Sequence, residues 1–176
     1  METTTRPVLT GLFNDRDSAE RAYRSISDRG YTHEDVNLVM SDETRKRHFS
    51  PSGVGHETEL GNKAAEGAGI GGAIGGSLGA IAAAIAAVGT TLALPGLGLV
   101  IAGPLAAAIA GAGAGAATGG IVGALIGWGI PEERVKEYDQ GIRDGGILMA
   151  VRPKNEQDAS YLENAWKANR GEHVYR

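Results

Sequence analysis

Hydrophobic and polar positions follow three rhythms along this chain. The run Val8-Leu9-Thr10-Gly11-Leu12-Phe13, closed by Asn14-Asp15, predicts a strand. Ala19, Ala22, Tyr23 and Ile26 then recur with the i, i+3, i+4, i+7 spacing of one buried helix face. That helix starts within residues 14–17, where Asp17 with Glu20 three residues on predicts a capping box. Its solvent side takes Arg16, Glu20, Arg21 and Arg24, and Gly30 falls where a helix C′ residue belongs. Asp35 to Met40 alternates as a second, half-buried strand. The unit is β-α-β, which predicts parallel strands with a right-handed crossover. Residues 42–63 are rich in Ser, Thr, Arg, Lys, His, Pro and Gly without an apolar period, and predict a flexible linker.

The second rhythm is glycine at every fourth position. Gly67, Gly71, Gly75 and Gly79 open a block that runs to Pro131, and Gly111, Gly115, Gly119, Gly123 and Gly127 close it. A period of four keeps positions on nearly one helix face, and a face of glycines admits another backbone at close range. Leu94-Pro95-Gly96-Leu97-Gly98 lies between the two series as a turn signal. The pattern predicts a helical hairpin over residues 64–130, with arms from near Ala64 to Ala93 and from near Leu99 to Gly129. At 1.5 Å per residue each arm would span roughly 40–48 Å, more than the roughly 30 Å core of a bilayer.

The third rhythm returns to the first. Pro131-Glu132-Glu133 suits the start of a helix, with Pro131 at N1, and Val135, Tyr138 and Ile142 give it an apolar stripe. Gly145-Gly146 ends it, and Ile147 to Val151 is a wholly apolar strand. Asp158 or a neighbour opens another helix, with Ala159, Leu162, Ala165 and Trp166 on its buried face. Gly171 follows as a stop, and His173-Val174-Tyr175 is a short last strand. With residues 41–146 set aside the order is β-α-β, β-α-β, the ferredoxin-like pattern. The predicted fold class is therefore α+β: a ferredoxin-like βαββαβ head split by an inserted glycine-zipper helical hairpin. Residues 1–41 hold the first half of the head, and residues 131–176 a helix plus the second half. The hairpin is expected to project from one end of the sheet.

Charge sharpens this picture. Residues 67–131 contain no Asp, Glu, Lys, Arg or His, so all charge lies in the flanks. Ile70, Ile74, Leu78, Ile81, Ile85, Leu105, Ile109, Ile121 and Leu125 spread around the predicted arms. A helix apolar all round is buried in protein or in lipid. The block is thus expected either to enter a membrane or to be buried by other copies of the chain. Lys63 at one root and Arg134 and Lys136 at the other would lie on the cytosolic side. A net charge of −4 gives no electrostatic footprint for nucleic acid. The absence of cysteine removes disulfides and thiolate chemistry. No basic and apolar leader pattern precedes the first strand. The expected location is the cytoplasm, or the cytoplasmic face of the inner membrane with an inserted hairpin.

Candidate chemistry is sparse. His48 and His56 have no partner at ligand spacing, so no metal site is expected. Gly67-Ala68-Gly69-Ile70-Gly71-Gly72 imitates part of a dinucleotide fingerprint, but no strand leads into it and no GxxxxGK[ST] occurs. No catalytic residue and no cofactor is assigned.

Several segments form a set. The first are Gly11-Leu12-Phe13 followed by Ala19-Glu20-Arg21-Ala22, and Lys63-Ala64-Ala65-Glu66-Gly67-Ala68. They continue with Leu94-Pro95-Gly96-Leu97-Gly98 and Ala102-Gly103-Pro104-Leu105-Ala106. The most specific is Gly129-Ile130-Pro131-Glu132-Glu133 through Tyr138, Gly141, Gly145-Gly146 and Ile147. In these segments the chain resembles the general stress protein 17M-like family of bacteria. The resemblance implies a bacterial stress-associated protein and supplies no catalytic residues. The expected function is non-enzymatic self-assembly through the zipper glycines. The alternative is a small-molecule-sensing regulatory module in the ferredoxin-like head, an analogy from fold alone.

Overall fold

Strands that read as apolar runs at both ends of the chain meet in one antiparallel sheet. The computed structural model describes residues 7–49, 81, 84–85, 91–94, 98–106, 120–127 and 129–176. The elements are β1 (Leu9–Phe13), α1 (Arg16–Ser27), a 3-10 turn (His33–Asp35), β2 (Val36–Ser41) and α2 (Asp42–Phe49). They continue with β3 (Thr91–Leu94), β4 (Leu99–Ala102), α3 (Gly120–Gly127), α4 (Glu132–Arg143), β5 (Ile147–Val151), α5 (Glu156–Ala168) and β6 (Glu172–Tyr175). The fold is mixed helix and sheet. Strand order is β3-β4-β2-β5-β1-β6, every neighbouring pair antiparallel. β5 lies between β1 and β2, with Gly11 opposite Met149 and Leu38 opposite Met149 on its other side.

Alternation along each strand sorts the core into two layers, as period-two side chains must. Leu9 and Phe13, Leu38 and Met40, Val100 and Ala102, and Ile147, Met149 and Val151 point to the layer under α1 and α5. Leu12, Val39, Leu99, Ile101 and Leu148 point to the opposite layer, under α4. Both sheet faces are covered, which is why β1 and β5 are buried along their whole length. Trp166 of α5 fills the first layer and meets Phe13 edge-to-face at 5.7 Å between centroids.

The helix ends depart from the sequence reading in small ways. α1 is capped by Asp15, whose carboxylate accepts the Ser18 N–H at 2.8 Å, and not by an Asp17–Glu20 box. With Asp15 as the cap, the position three residues on is Ser18, so Glu20 lies beyond the first turn. Pro131 stands one position earlier than N1, as the N-cap of α4, and Asn155 opens α5. Gly30 and Gly145 take the left-handed conformation expected after α1 and α4. After α5 that conformation falls on Arg170 (φ 62), not on Gly171.

The middle of the chain differs more. Thr91–Leu94 and Leu99–Ala102 are strands, not the ends of two long helices. They form a hairpin with Leu94 opposite Leu99, and β4 then pairs with β2 from Leu38 to Ser41. The Leu94–Gly98 turn signal is real, but it joins strands. The outer edge of β2 explains this: its backbone groups are satisfied by β4, whose own outer edge β3 pairs in turn, a gain that an all-helical hairpin cannot supply. The expected linker is also partly helix. Asp42–Phe49 forms α2, with the Thr44 N–H on Ser41 Oγ at 3.0 Å and Phe49 buried in the first layer. Nor does the insert simply project from one end, because described parts of it lie on both faces of the sheet. Among the described residues no helix is long and apolar enough to cross a membrane.

Candidate functional site

The seat of the apolar middle segment is the feature with the most unusual construction. On the α1 face, Ile81, Ala84 and Ile85 are helical and pack into the first core layer. Their approach buries Glu20 of α1 to 7% exposure, against the expectation that it faces solvent. A buried carboxylate is costly unless donors face it. Glu20 Oε2 accepts the Ile81 backbone N–H at 3.2 Å, and Arg16 Nε lies 3.9 Å from Oε1. The neighbouring Tyr23 hydroxyl is pushed up to about 12 by burial, with the Glu20 charge adding to it.

On the α4 face the segment leaves β4 through Gly103-Pro104 into a helical turn at residues 104–106. Asn37 of β2, 1% exposed, accepts the Leu105 N–H on Oδ1 at 2.6 Å. Asn37 thus caps from another element the start of a helix whose Pro104 brings no N–H of its own. Gly103 has φ +104, and a Cβ there would stand 2.3 Å from the Val36 carbonyl oxygen. Only glycine allows this approach. Leu105, Ala106 and, from α3, Leu125 complete the second layer with Val135, Tyr138 and Ile142 of α4.

The zipper positions divide. Gly67, Gly71, Gly75, Gly79, Gly111, Gly115 and Gly119 lie outside the described residues. Gly123 and Gly127 belong to α3, which has no charged residue at all. α3 turns Leu125 inward, whereas Gly123 meets open space and Ile126 is 43% exposed. α3 ends at Gly127, and beyond it Gly129 takes φ +96 and the Ile130 N–H reaches Leu125 O at 3.0 Å.

A second candidate is a polar cleft of about 300 Å³ between α4 and the β1–β6 corner, lined by Leu12, Asn14, Glu137, Gln140, Gly141, Asp144, Glu172 and His173. His173 holds φ 48 within β6, and its Nδ1 lies 3.0 Å from Glu137 Oε2. Beneath it the Tyr138 hydroxyl donates to His173 O at 2.8 Å and sits 2.7 Å from Thr10 Oγ1. Burial pushes that hydroxyl up to about 12, so it remains protonated as a donor. Among the described residues no group of three His, Cys, Asp or Glu could hold a metal.

Sequence reasoning found neither Glu20, Asn37 nor the His173 corner. The first two act on partners 61 and 68 residues away, which no local pattern reports. No family model, no curated protein and no solved structure matches this chain.

Proposed function

We propose that the chain is a non-enzymatic assembly protein, in which a ferredoxin-like head carries an apolar insert that self-associates. The head reading is supported by the order β2-β5-β1-β6 and by the two crossover helices, α1 and α5, on one face. The observation that carries the assembly reading is α3. It is uncharged along its length, anchored through Leu125, and presents Gly123 and Ile126 outward. An outward face of glycine beside isoleucine suits close helix–helix contact, with the branched side chain filling the space beside the bare backbone. The other zipper glycines, from Gly67 to Gly79 and from Gly111 to Gly119, would extend that contact between copies or within a bilayer. The resemblance to the general stress protein 17M-like family implies bacterial stress as the setting, and the uncharged block with Lys63, Arg134 and Lys136 at its roots suits the cytosol or the cytosolic face of the inner membrane.

The test is the native mass of the full chain beside a Gly123→Leu/Ile126→Glu double variant, together with carbonate washing of a membrane pellet. A multi-chain particle, or retention in washed membranes, that is lost in the double variant is the expected result. Identical mass and partition for both proteins would refute the role of this face. A second reading, a small-molecule-sensing head, is favoured by the polar cleft beside His173. Its test is a thermal shift of the full chain with a metabolite panel, abolished by Gln140→Leu.

A further inference from the structure

β6 closes the sheet beside β1. Its ladder carries one extra residue, since Thr10 and Leu12 of β1 face Tyr175 and Glu172. His173 lies in that bulge with φ 48. Its carbonyl is pinned by the buried Tyr138 hydroxyl at 2.8 Å, and its Nδ1 lies 3.0 Å from Glu137 Oε2 on α4. The Tyr175 hydroxyl donates to the same Glu137 oxygen at 3.4 Å. The charges around this pair are one-sided. Glu137 and Asp144 of α4 and Glu172 of β6 line one cleft with His173, and among the described residues no Lys or Arg lines it. The cations of the surrounding elements are engaged elsewhere. Arg134 of α4 lies over the Tyr175 ring at 4.6 Å and donates to Arg176 O. Lys136 and Arg143 pair along α4 with Glu132 and Asp139. On the α5 side of β6, Lys167 pairs with Glu163, and Arg176 reaches Glu156 and Glu163. The Arg170 charge acts on Asp15.

We propose that the His173–Glu137 pair makes the β6 edge pH-sensitive: a proton on His173 ties β6 to α4, and its loss as pH rises through the histidine range loosens that edge. The neutral ring already has Nδ1 facing Glu137. The arriving proton goes to Nε2 and sets a full positive charge among three carboxylates. Without it Glu137 and Asp144 of α4 share a cleft with Glu172 of β6 and no countercharge, so like charges oppose the packing of strand on helix. The sign is the reverse of ordinary acid loosening. A group whose charged form has the better partners lends stability while protonated and withdraws it as pH rises. The window closes at its acid end where carboxylates in general lose their charge, at about pH 4. Imidazole and carboxylate are 39% and 43% exposed, so water screens the pair and the effect is modest.

The experiment is amide hydrogen exchange on the full chain at pH 6 and pH 8, each rate divided by that of an unstructured peptide at the same pH. Wild type is read beside His173→Asn, Glu137→Gln and Tyr138→Phe. Asparagine tolerates the left-handed backbone and still offers an N–H, but it does not titrate. In wild type the amides of residues 172–175 should be about two- to threefold better protected at pH 6 than at pH 8, relative to those of β5. His173→Asn should abolish that difference and Glu137→Gln should shrink it. The β5 amides, unchanged, report that both variants have folded. Tyr138→Phe should weaken protection equally at both pH values, because burial keeps the hydroxyl it removes protonated at each. A wild-type edge equally protected at pH 6 and pH 8 would overturn the proposal. So would a difference that survives in His173→Asn, since its origin would then lie in another group.

Discussion

The two β-α-β units share a plan and differ at their outer strands. β1-α1-β2 and β5-α5-β6 each run from a central strand through a capped helix to a strand on the far side. β2 is buried from Val36 to Met40 and meets β4 on its outer side. β6 has only Val174 buried, and its register against β1 slips between Thr10 and Leu12. Glu172 and His173 stand exposed there, at a bulge where His173 adopts φ 48. The difference teaches how one sheet handles two ends. A strand covered by a further strand, as β2 is by β4, needs no protection of its own, whereas the terminal edge is guarded by a bulge and by charge.

The largest expected effect breaks the extended side. Gly103→Ala places a Cβ against the Val36 carbonyl at a positive φ, and should cost about 3 kcal/mol in denaturant unfolding. Because the clash is with β2 backbone, loosened amides should appear first along β4. An unfolding midpoint within error of wild type would show that the wedge relaxes freely. A smaller effect is expected on the guarded side. Isoleucine is a strong strand former, yet His173→Ile should destabilise by about 2 kcal/mol, since β-branched residues avoid a positive φ. His173→Gly should then be the better tolerated of the two. If isoleucine instead stabilises, the bulge carries no strain.

The smallest effect concerns the caps of the two crossover helices. The Ser18 backbone N–H, foremost, holds the Asp15 carboxyl below its ordinary value, whereas α5 is capped by the uncharged Asn155. A depressed carboxyl contributes stability above its unfolded pKa, about 3.9, and that contribution is lost as pH falls through the folded value. Asp15→Asn keeps a good N-cap without a titrating group. It should melt with the parent at pH 7 and above it near pH 3. Parallel curves at both pH values would remove Asp15 from the acid response.

The elements of both β-α-β units were legible because their apolar positions keep a clean period and their ends carry Asn, Asp, Gly or Pro. The insert was misread for a physical reason. In Thr91-Leu92-Ala93-Leu94 and Leu99-Val100-Ile101-Ala102 both faces are apolar, so no polar alternation marks them as strands. The glycines at period four on either side then imposed a helical reading. The β-branched residues around Pro95-Gly96 were the available signal for a strand hairpin. α2 escaped because Phe49 is its main apolar anchor, with its charged residues paired among themselves: Arg45 and Lys46 with Asp42, and Arg47 with Glu43. Glu20 could not be assigned to the interior, since the surface that buries it comes from a distant stretch of sequence.

The position of β5 has a consequence for how the protein is made. The strand that separates β1 from β2 is synthesised after the whole apolar block, so neither early strand meets its inner neighbour until Ile147 to Val151 has left the ribosome. Until then β2 has β4 alone to pair with, and the uncharged segment is made ahead of the strand that completes its support. Folding therefore waits on long-range contacts, the slow kind, while the uncharged block has already been made. A chain with this order of parts completes its sheet only when its last third closes over a loop of about a hundred residues, so the order of synthesis and the order of strands run against each other.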